Sequence, residues 1–63
     1  MILKGIAIRK TEVRSQPLED EKYIIGELEQ GTEIEINVRE FDYYLIKYNG
    51  GYAYVKEDRT KKV

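Results

Sequence analysis

"YYLIKYNGGYAYV", residues Tyr43 to Val55, carries five of the six tyrosines in a chain that has no tryptophan and no histidine. At its centre stands Asn49-Gly50. That dipeptide favours a two-residue type I′ turn, because both central residues of such a turn need positive φ. The turn sets Tyr48 opposite Gly51. Counting outward, Lys47 faces Tyr52, Ile46 faces Ala53, Leu45 faces Tyr54, and Tyr44 faces Val55. Residues opposite one another share a face of the sheet. One face then reads Tyr44, Ile46, Ala53 and Val55, apolar and small enough to pack. The other reads Leu45, Lys47, Tyr52 and Tyr54, with Tyr43 beside them at the strand's start. A slip by one residue would mix the two sets, so the pattern supports its own register.

The preceding segment, "TEIEINV" (32–38), alternates cleanly. Ile34, Ile36 and Val38 point one way, and Glu33, Glu35 and Asn37 the other. Pairing Ile36 with Ile46 and Val38 with Tyr44 keeps the inward residues together and sets Glu35 across from Lys47. "GIAIRKTEVRS" (5–15) and "YIIGELEQG" (23–31) read as further strand segments, with Gly26 at a bulge or close approach and Gly31 closing a turn. Pro17 ends any strand near it, because it lacks the N–H donor. "SQPLEDEK" (15–22) reads as a mobile polar loop, and "KEDRTKKV" (56–63) as a charged end with room for one helical turn or a last short strand. Several short strands separated by turn residues predict an all-β chain, a small barrel or sandwich.

Composition bounds the function. Sixty-three residues allow one domain, taken as 1–63. With no cysteine and no histidine, the chain lacks a disulfide staple, a thiolate metal site and the commonest general base. The net charge of −1 and sequence pI of about 5.4 supply no global field for nucleic acid. No apolar run approaches the roughly 20 residues of a membrane helix, so no membrane span is expected. "MILKGIAI" is too short and broken for a signal peptide.

An outer face with three rings and a leucine stands out in a chain this polar. Tyrosine offers a large flat surface at little entropic cost and a hydroxyl for hydrogen bonding. Two readings follow. The rings are a contact surface, or they are sheltered in a curled sheet by Phe41, the chain ends or the N-terminal strand. Tyr44 is expected in the core and Tyr48 at its edge.

The segments "TEVRSQP", "IIGELEQGTEIEI" and "YYLIKYNGGYAYV" resemble the bacterial Src-homology-3 domain. The matching residues are Val13, Arg14, Ser15 and Pro17; then Ile25, Gly26, Leu28, Gly31, Thr32, Ile34 and Ile36; then Tyr44, Ile46, Tyr48, Asn49, Gly50 and Val55. The resemblance covers residues 8–56. Tyr43 and Tyr54 stand where the family has tryptophan, Gln16 and Ala53 where it has glycine, and Leu45 where it has a polar residue. The last change makes the outer face more apolar than the family norm.

The resemblance implies an SH3-like barrel of five to seven short antiparallel strands. It also implies a non-catalytic targeting module of bacterial or phage origin. Such modules hold peptidoglycan hydrolases and phage endolysins on the bacterial cell wall, so the expected partners are a cell-wall peptide or peptidoglycan and a parent hydrolase. The protein would then be made in the cytoplasm and act at the wall. Eukaryotic relatives bind extended peptides in an aromatic groove.

The expected ligand-binding residues are Tyr43, Tyr52 and Tyr54 as ring contacts, Leu45 beside them, and Asp42 and Asn49 as polar contacts. Asp42, Glu40, Glu19 and Asp20 have the charge to attract an amine. The type I′ turn alone explains Asn49, and a solvated loop alone explains "EDE". Arg14 is expected to tie its strand to an acidic neighbour.

Catalysis is not expected. No histidine activates Ser15, Thr11, Thr32 or Thr60, and Glu33 and Glu35 point to solvent rather than into a dry pocket. No cofactor or metal is expected, since "LEDEK" lacks the spacing of a calcium loop. Nucleic acid is disfavoured, because Lys47 and Lys56 are offset by Glu35, Glu40, Asp42 and Glu57. The alternative from another class is an assembly module. Its start at Met1, close to the domain, suits a small free-standing copy that forms homo-oligomers or joins a larger chain and multiplies its binding sites.

Overall fold

Asn49 (φ 48°) and Gly50 (φ 79°) both take the left-handed conformation the hairpin requires. In the computed structural model, which describes residues 3–63, they join strands β5 (Tyr43–Tyr48) and β6 (Gly51–Lys56). The register runs Tyr48–Gly51, Lys47–Tyr52, Ile46–Ala53, Leu45–Tyr54, Tyr44–Val55, as the sequence predicts, and adds Tyr43–Lys56. Replacing Gly50 by alanine puts a Cβ at positive φ, where it crowds the backbone. Gly50→Ala is expected to cost about 1 kcal/mol in urea unfolding, without changing the fold.

The other strands are β1 (Leu3–Ala7), β2 (Thr11–Arg14), β3 (Ile24–Leu28), β4 (Glu33–Glu40) and β7 (Thr60–Lys62). All pair antiparallel in one sheet, in the order β3-β2-β6-β5-β4-β1-β7. The chain is all-β, at the upper end of the expected strand count. The sheet folds around a core of Val13, Ile34, Ile36, Tyr44, Ile46, Ala53 and Val55, with Leu28 and Tyr48 against it. The inward face of the hairpin is therefore the predicted one, with Tyr44 buried and Tyr48 at the edge.

Three details differ from the sequence reading. "GIAIRKTEVRS" is two strands, β1 and β2, separated by Ile8–Lys10. The charged end holds both a 3-10 turn (Glu57–Arg59) and β7. The polar segment after Pro17 ends in a second 3-10 turn (Glu21–Tyr23), which Asp20 caps by accepting from the Lys22 backbone N–H at 3.0 Å.

The larger correction is in β4. Ile36 pairs with Ile46 as expected, but Val38 pairs with Leu45 and Arg39 with Tyr44. One extra residue on β4 makes a bulge, which turns Val38 outward and exposes it. The expected Val38–Tyr44 pair is absent. Glu35 lies across from Lys4 of β1, and among the described residues no ion pair joins it to Lys47.

Gly26 combines both anticipated roles. The β2–β3 register shifts between Val13 and Arg14, and a Cβ on Gly26 would overlap the Tyr48 hydroxyl. The idea that "MILKGIAI" shelters the outer rings finds no support in Leu3–Ala7, which pair between β4 and β7. Met1 and Ile2 lie outside the described residues.

Candidate binding site

The outer face of the β5–β6 hairpin carries Leu45, Lys47, Tyr52, Tyr54 and Lys56, and the bulge adds Val38. Tyr52 is 64% exposed. Leu45 and Tyr54, directly opposite each other, are half-buried. The Tyr54 hydroxyl donates to Glu40 Oε2 at 2.6 Å, which fixes its ring. This bond also holds the phenol proton more tightly than usual.

Tyr43 has the predicted strand phase but not the predicted exposure. It is only 3% exposed, so the expectation of an open ring there is corrected. Its cover is non-local. The Lys56 ammonium lies over its ring, 5.5 Å from the centroid, and Lys56 is held by Glu19, with Asp42 at 3.8 Å. Arg14 braces the segment that brings Glu19 there. Its guanidinium donates to the carbonyls of Leu18 (3.4 Å) and Asp20 (3.1 Å) and to Glu12 Oε1 (2.8 Å). The acidic partner of Arg14 is Glu12 on its own strand β2, so what ties the strand to another segment is the pair of carbonyls and not the acidic neighbour expected.

Beside these residues is a partly open cavity of about 130 Å³ lined by Thr11, Glu12, Arg14, Glu19, Tyr43, Lys56 and Arg59. A water occupies roughly 30 Å³ of liquid, so the space suits a few waters or one small polar group. The Tyr43 hydroxyl is buried and has no hydrogen-bond partner among the described residues. Burial pushes its pKa up, the nearby Lys56 and Arg14 charges pull it down, and the Glu19 and Asp42 carboxylates push it up again. Most buried polar groups are paired, so an unpaired phenol among these charges is a feature to explain.

At the cavity's flank, the two-residue β4–β5 turn places Phe41 at φ 56° with its ring 77% exposed. A bulky residue at positive φ is costly, and here no burial of the ring offsets it. The Asp42 carbonyl accepts from the Glu57 backbone N–H at 2.9 Å, tying this turn to the Glu57–Arg59 turn. Arg39 adds a two-pronged pair with Glu57, at 2.8 and 3.0 Å.

The six anticipated site residues therefore divide. Tyr43 and Asp42 belong to the cavity's wall and rim, and Tyr54, Tyr52 and Leu45 to the adjoining strip. Asn49 is at the far end of β5, about 20 Å along the strand from Tyr43, and serves the turn. The acidic set expected to draw an amine is engaged internally: Glu19 and Asp42 with Lys56, Glu40 with Tyr54, Asp20 as a cap. Lys56, Arg59 and Thr11 were not anticipated as site residues. The register itself pointed to Lys56, because extending the hairpin by one pair sets it opposite Tyr43. Glu33 and Glu35 are exposed.

The ion pairs make the chain sensitive to acid. Lys56 holds the Glu19 carboxyl, and Arg39 the Glu57 carboxyl, below the ordinary value of 4.5. A carboxyl whose pKa is lowered by folding stabilises the fold above its unfolded value, and that contribution is lost as pH falls through the folded value. The melting temperature is expected to drop below about pH 4.5. The drop should shrink in Glu19→Gln/Glu57→Gln, and an unchanged acid limb in that double variant would refute the assignment.

No known family model matches the chain, and no curated protein matches it.

Proposed function

We propose that this protein is a non-catalytic binding module that holds a peptidoglycan hydrolase or phage endolysin on the bacterial cell wall. It reads a short extended peptide laid along Val38, Leu45, Tyr52 and Tyr54 towards the Tyr43 cavity. The observation that carries this reading is that strip itself: contiguous apolar and aromatic side chains on the outer face, ending at a polar cavity, in a chain with 37% charged residues. A mostly apolar surface with a few convergent polar groups is the usual form of a ligand site. The wall as target comes from the resemblance to the bacterial Src-homology-3 domain. Made in the cytoplasm, the protein would act outside it. Among the described residues no helix is long and apolar enough to cross a membrane.

Co-sedimentation with purified bacterial walls tests this reading. The wild-type chain is expected in the pellet, and Tyr52→Ala and Tyr54→Ala are each expected to reduce the bound fraction. A buried interfacial tyrosine is worth roughly 2 kcal/mol, or about thirtyfold in affinity. A wild-type chain that stays in the supernatant with walls of several species would sink the proposal.

A second reading, self-association or docking on a larger chain, is favoured by the exposure of Phe41 and of Val38 in the strip itself. Light scattering over a concentration series separates the two: dimers that dissociate in Phe41→Asn favour assembly, and monomers throughout exclude self-association.

A further inference from the structure

We propose that the Tyr43 cavity is a carboxylate pocket, built to take the C-terminal carboxylate of a peptide that ends in a small residue, and that Glu19 is its built-in occupant in the unliganded protein. The inference rests on the binding-module reading and specifies what one part of the site takes.

Three observations carry it. First, a wall residue of the cavity holds an unsatisfied polar group: the buried hydroxyl of Tyr43, on a ring that is almost wholly buried, has no partner among the described residues. It lies within the fields of two cations, Lys56 and Arg14, and two carboxylates, Glu19 and Asp42. With Glu19 moved aside, a phenol beside these cations is a donor to an incoming anion.

Second, the lining is cationic once its own carboxylates are accounted for. Glu12 is committed to Arg14 at 2.8 Å, and Arg14 is further committed to two backbone carbonyls. Lys56 is paired to Glu19, with Asp42 as a looser neighbour at 3.8 Å, and Arg59 makes only a loose pair with Asp58 at 4.0 Å among the described residues.

Third, the protein already places a carboxylate there. Glu19 reaches Lys56 from a segment between two strands, 37 residues away in sequence, with its side chain 69% exposed. A side chain so exposed can swing out and leave Lys56 to another carboxylate of the same charge. Lys56 and Arg59, both on the cavity wall, then take the incoming group, and the departure of Glu19 uncovers the Tyr43 hydroxyl as a further donor. The cavity's volume of about 130 Å³ admits a carboxylate with one small residue, not a large side chain. The Tyr54–Leu45 strip beside it would carry the preceding residues of the peptide.

The test uses N-acetyl-alanyl-alanine as the free acid and as its C-terminal amide, titrated into the full chain while backbone amide resonances are followed by NMR. The acid is expected to bind at millimolar concentration and shift Glu19, Tyr43 and Lys56, with the amide at least about tenfold weaker. Glu19→Gln is expected to bind the acid about three- to tenfold more tightly, because its internal competitor is gone. Lys56→Met should weaken the acid about tenfold or more and leave the amide unchanged. Each variant's amide spectrum reports whether it is folded, and Arg59→Met provides a second cation deletion should Lys56→Met unfold.

Equal binding of acid and amide, no shift with either at saturating peptide, or weaker binding of the acid by Glu19→Gln overturns the inference. Wall sedimentation separates it from the function it rests on. Walls that bind wild type and Lys56→Met alike, with acid and amide indistinguishable, would leave the wall reading standing and remove the carboxylate pocket. A clear preference for the acid with no wall binding does the reverse.

Discussion

Ile46→Ala is expected to leave the chain largely unfolded at 37 °C. Ile46 is 0% exposed and sits at the middle of the central hairpin, paired with Ala53 on one side and Ile36 on the other. Removing its outer carbons takes away their transfer free energy and leaves a hole that a closed-up core fills only partly, a loss of about 3–4 kcal/mol. A chain of 63 residues has little to spare. It buries a smaller fraction of its surface than a larger domain, and its net stability is on the order of 3–5 kcal/mol. With no disulfide, nothing covalent limits the unfolded state. Chemical denaturation followed by far-ultraviolet circular dichroism checks this. Ile46→Val, which deletes one methylene, should cost only about 1 kcal/mol and remain folded. If the alanine variant unfolds at the same denaturant concentration as wild type, Ile46 is not at the centre of the core.

The neighbours of Ile46 also show how far a sequence of this kind can be read. The hairpin register was legible because two independent signals agree there. The Asn49-Gly50 turn fixes the pairing, and the split into small apolar and larger polar residues fixes the faces. The same reasoning failed one strand further back, for the pair Val38–Tyr44. Strict alternation through Ile34, Ile36 and Val38 looked decisive, yet the bulge next to Asn37 inverts the phase of everything after it. A bulge is set by how two strands twist against each other, and β4 is clamped between β1 and β5. No residue type at positions 36–38 announces it.

The site divides in the same way. Tyr52, Tyr54 and Leu45 were found because their placement is local to one hairpin. The cavity was not, because its walls come from β2, the segment before Glu21, β5, β6 and the Glu57–Arg59 turn. Glu19 looked like a solvated loop residue and Lys56 like one end of a charged tail. Their pairing spans 37 positions, and no local pattern encodes it. Burial of Tyr43 follows from that pairing, so it was hidden for the same reason.

Tyr43 is where these threads meet, and the two substitutions expected there have opposite signs. Tyr43→Phe keeps the ring under Lys56 and removes only the hydroxyl. A buried polar group with no partner costs about 1–3 kcal/mol, so its removal is expected to stabilise the chain by at least about 1 kcal/mol. For a domain of this size that corresponds to a rise of roughly 4–8 °C in melting temperature. Tyr43→Ala removes the ring as well. It is expected to cost about 3 kcal/mol, because the cavity beneath Lys56 and Glu19 would open into the space the ring fills.

The alkaline limb supplies an independent check. Burial raises the Tyr43 pKa above its ordinary 10.0, so the folded chain holds that proton more tightly than the unfolded chain. Stability from this source is complete below pH 10 and is lost as pH rises through the folded value. Tyr43→Phe should lose that part of the alkaline decline, whereas Tyr48→Phe, at the core's edge, should keep it. A phenylalanine variant that melts lower than wild type would mean that the hydroxyl is satisfied in the free protein, and a group already satisfied has no claim to be waiting for a ligand. A variant that melts higher yet no longer distinguishes acid from amide would show the cost of the unpaired hydroxyl being carried for the sake of binding.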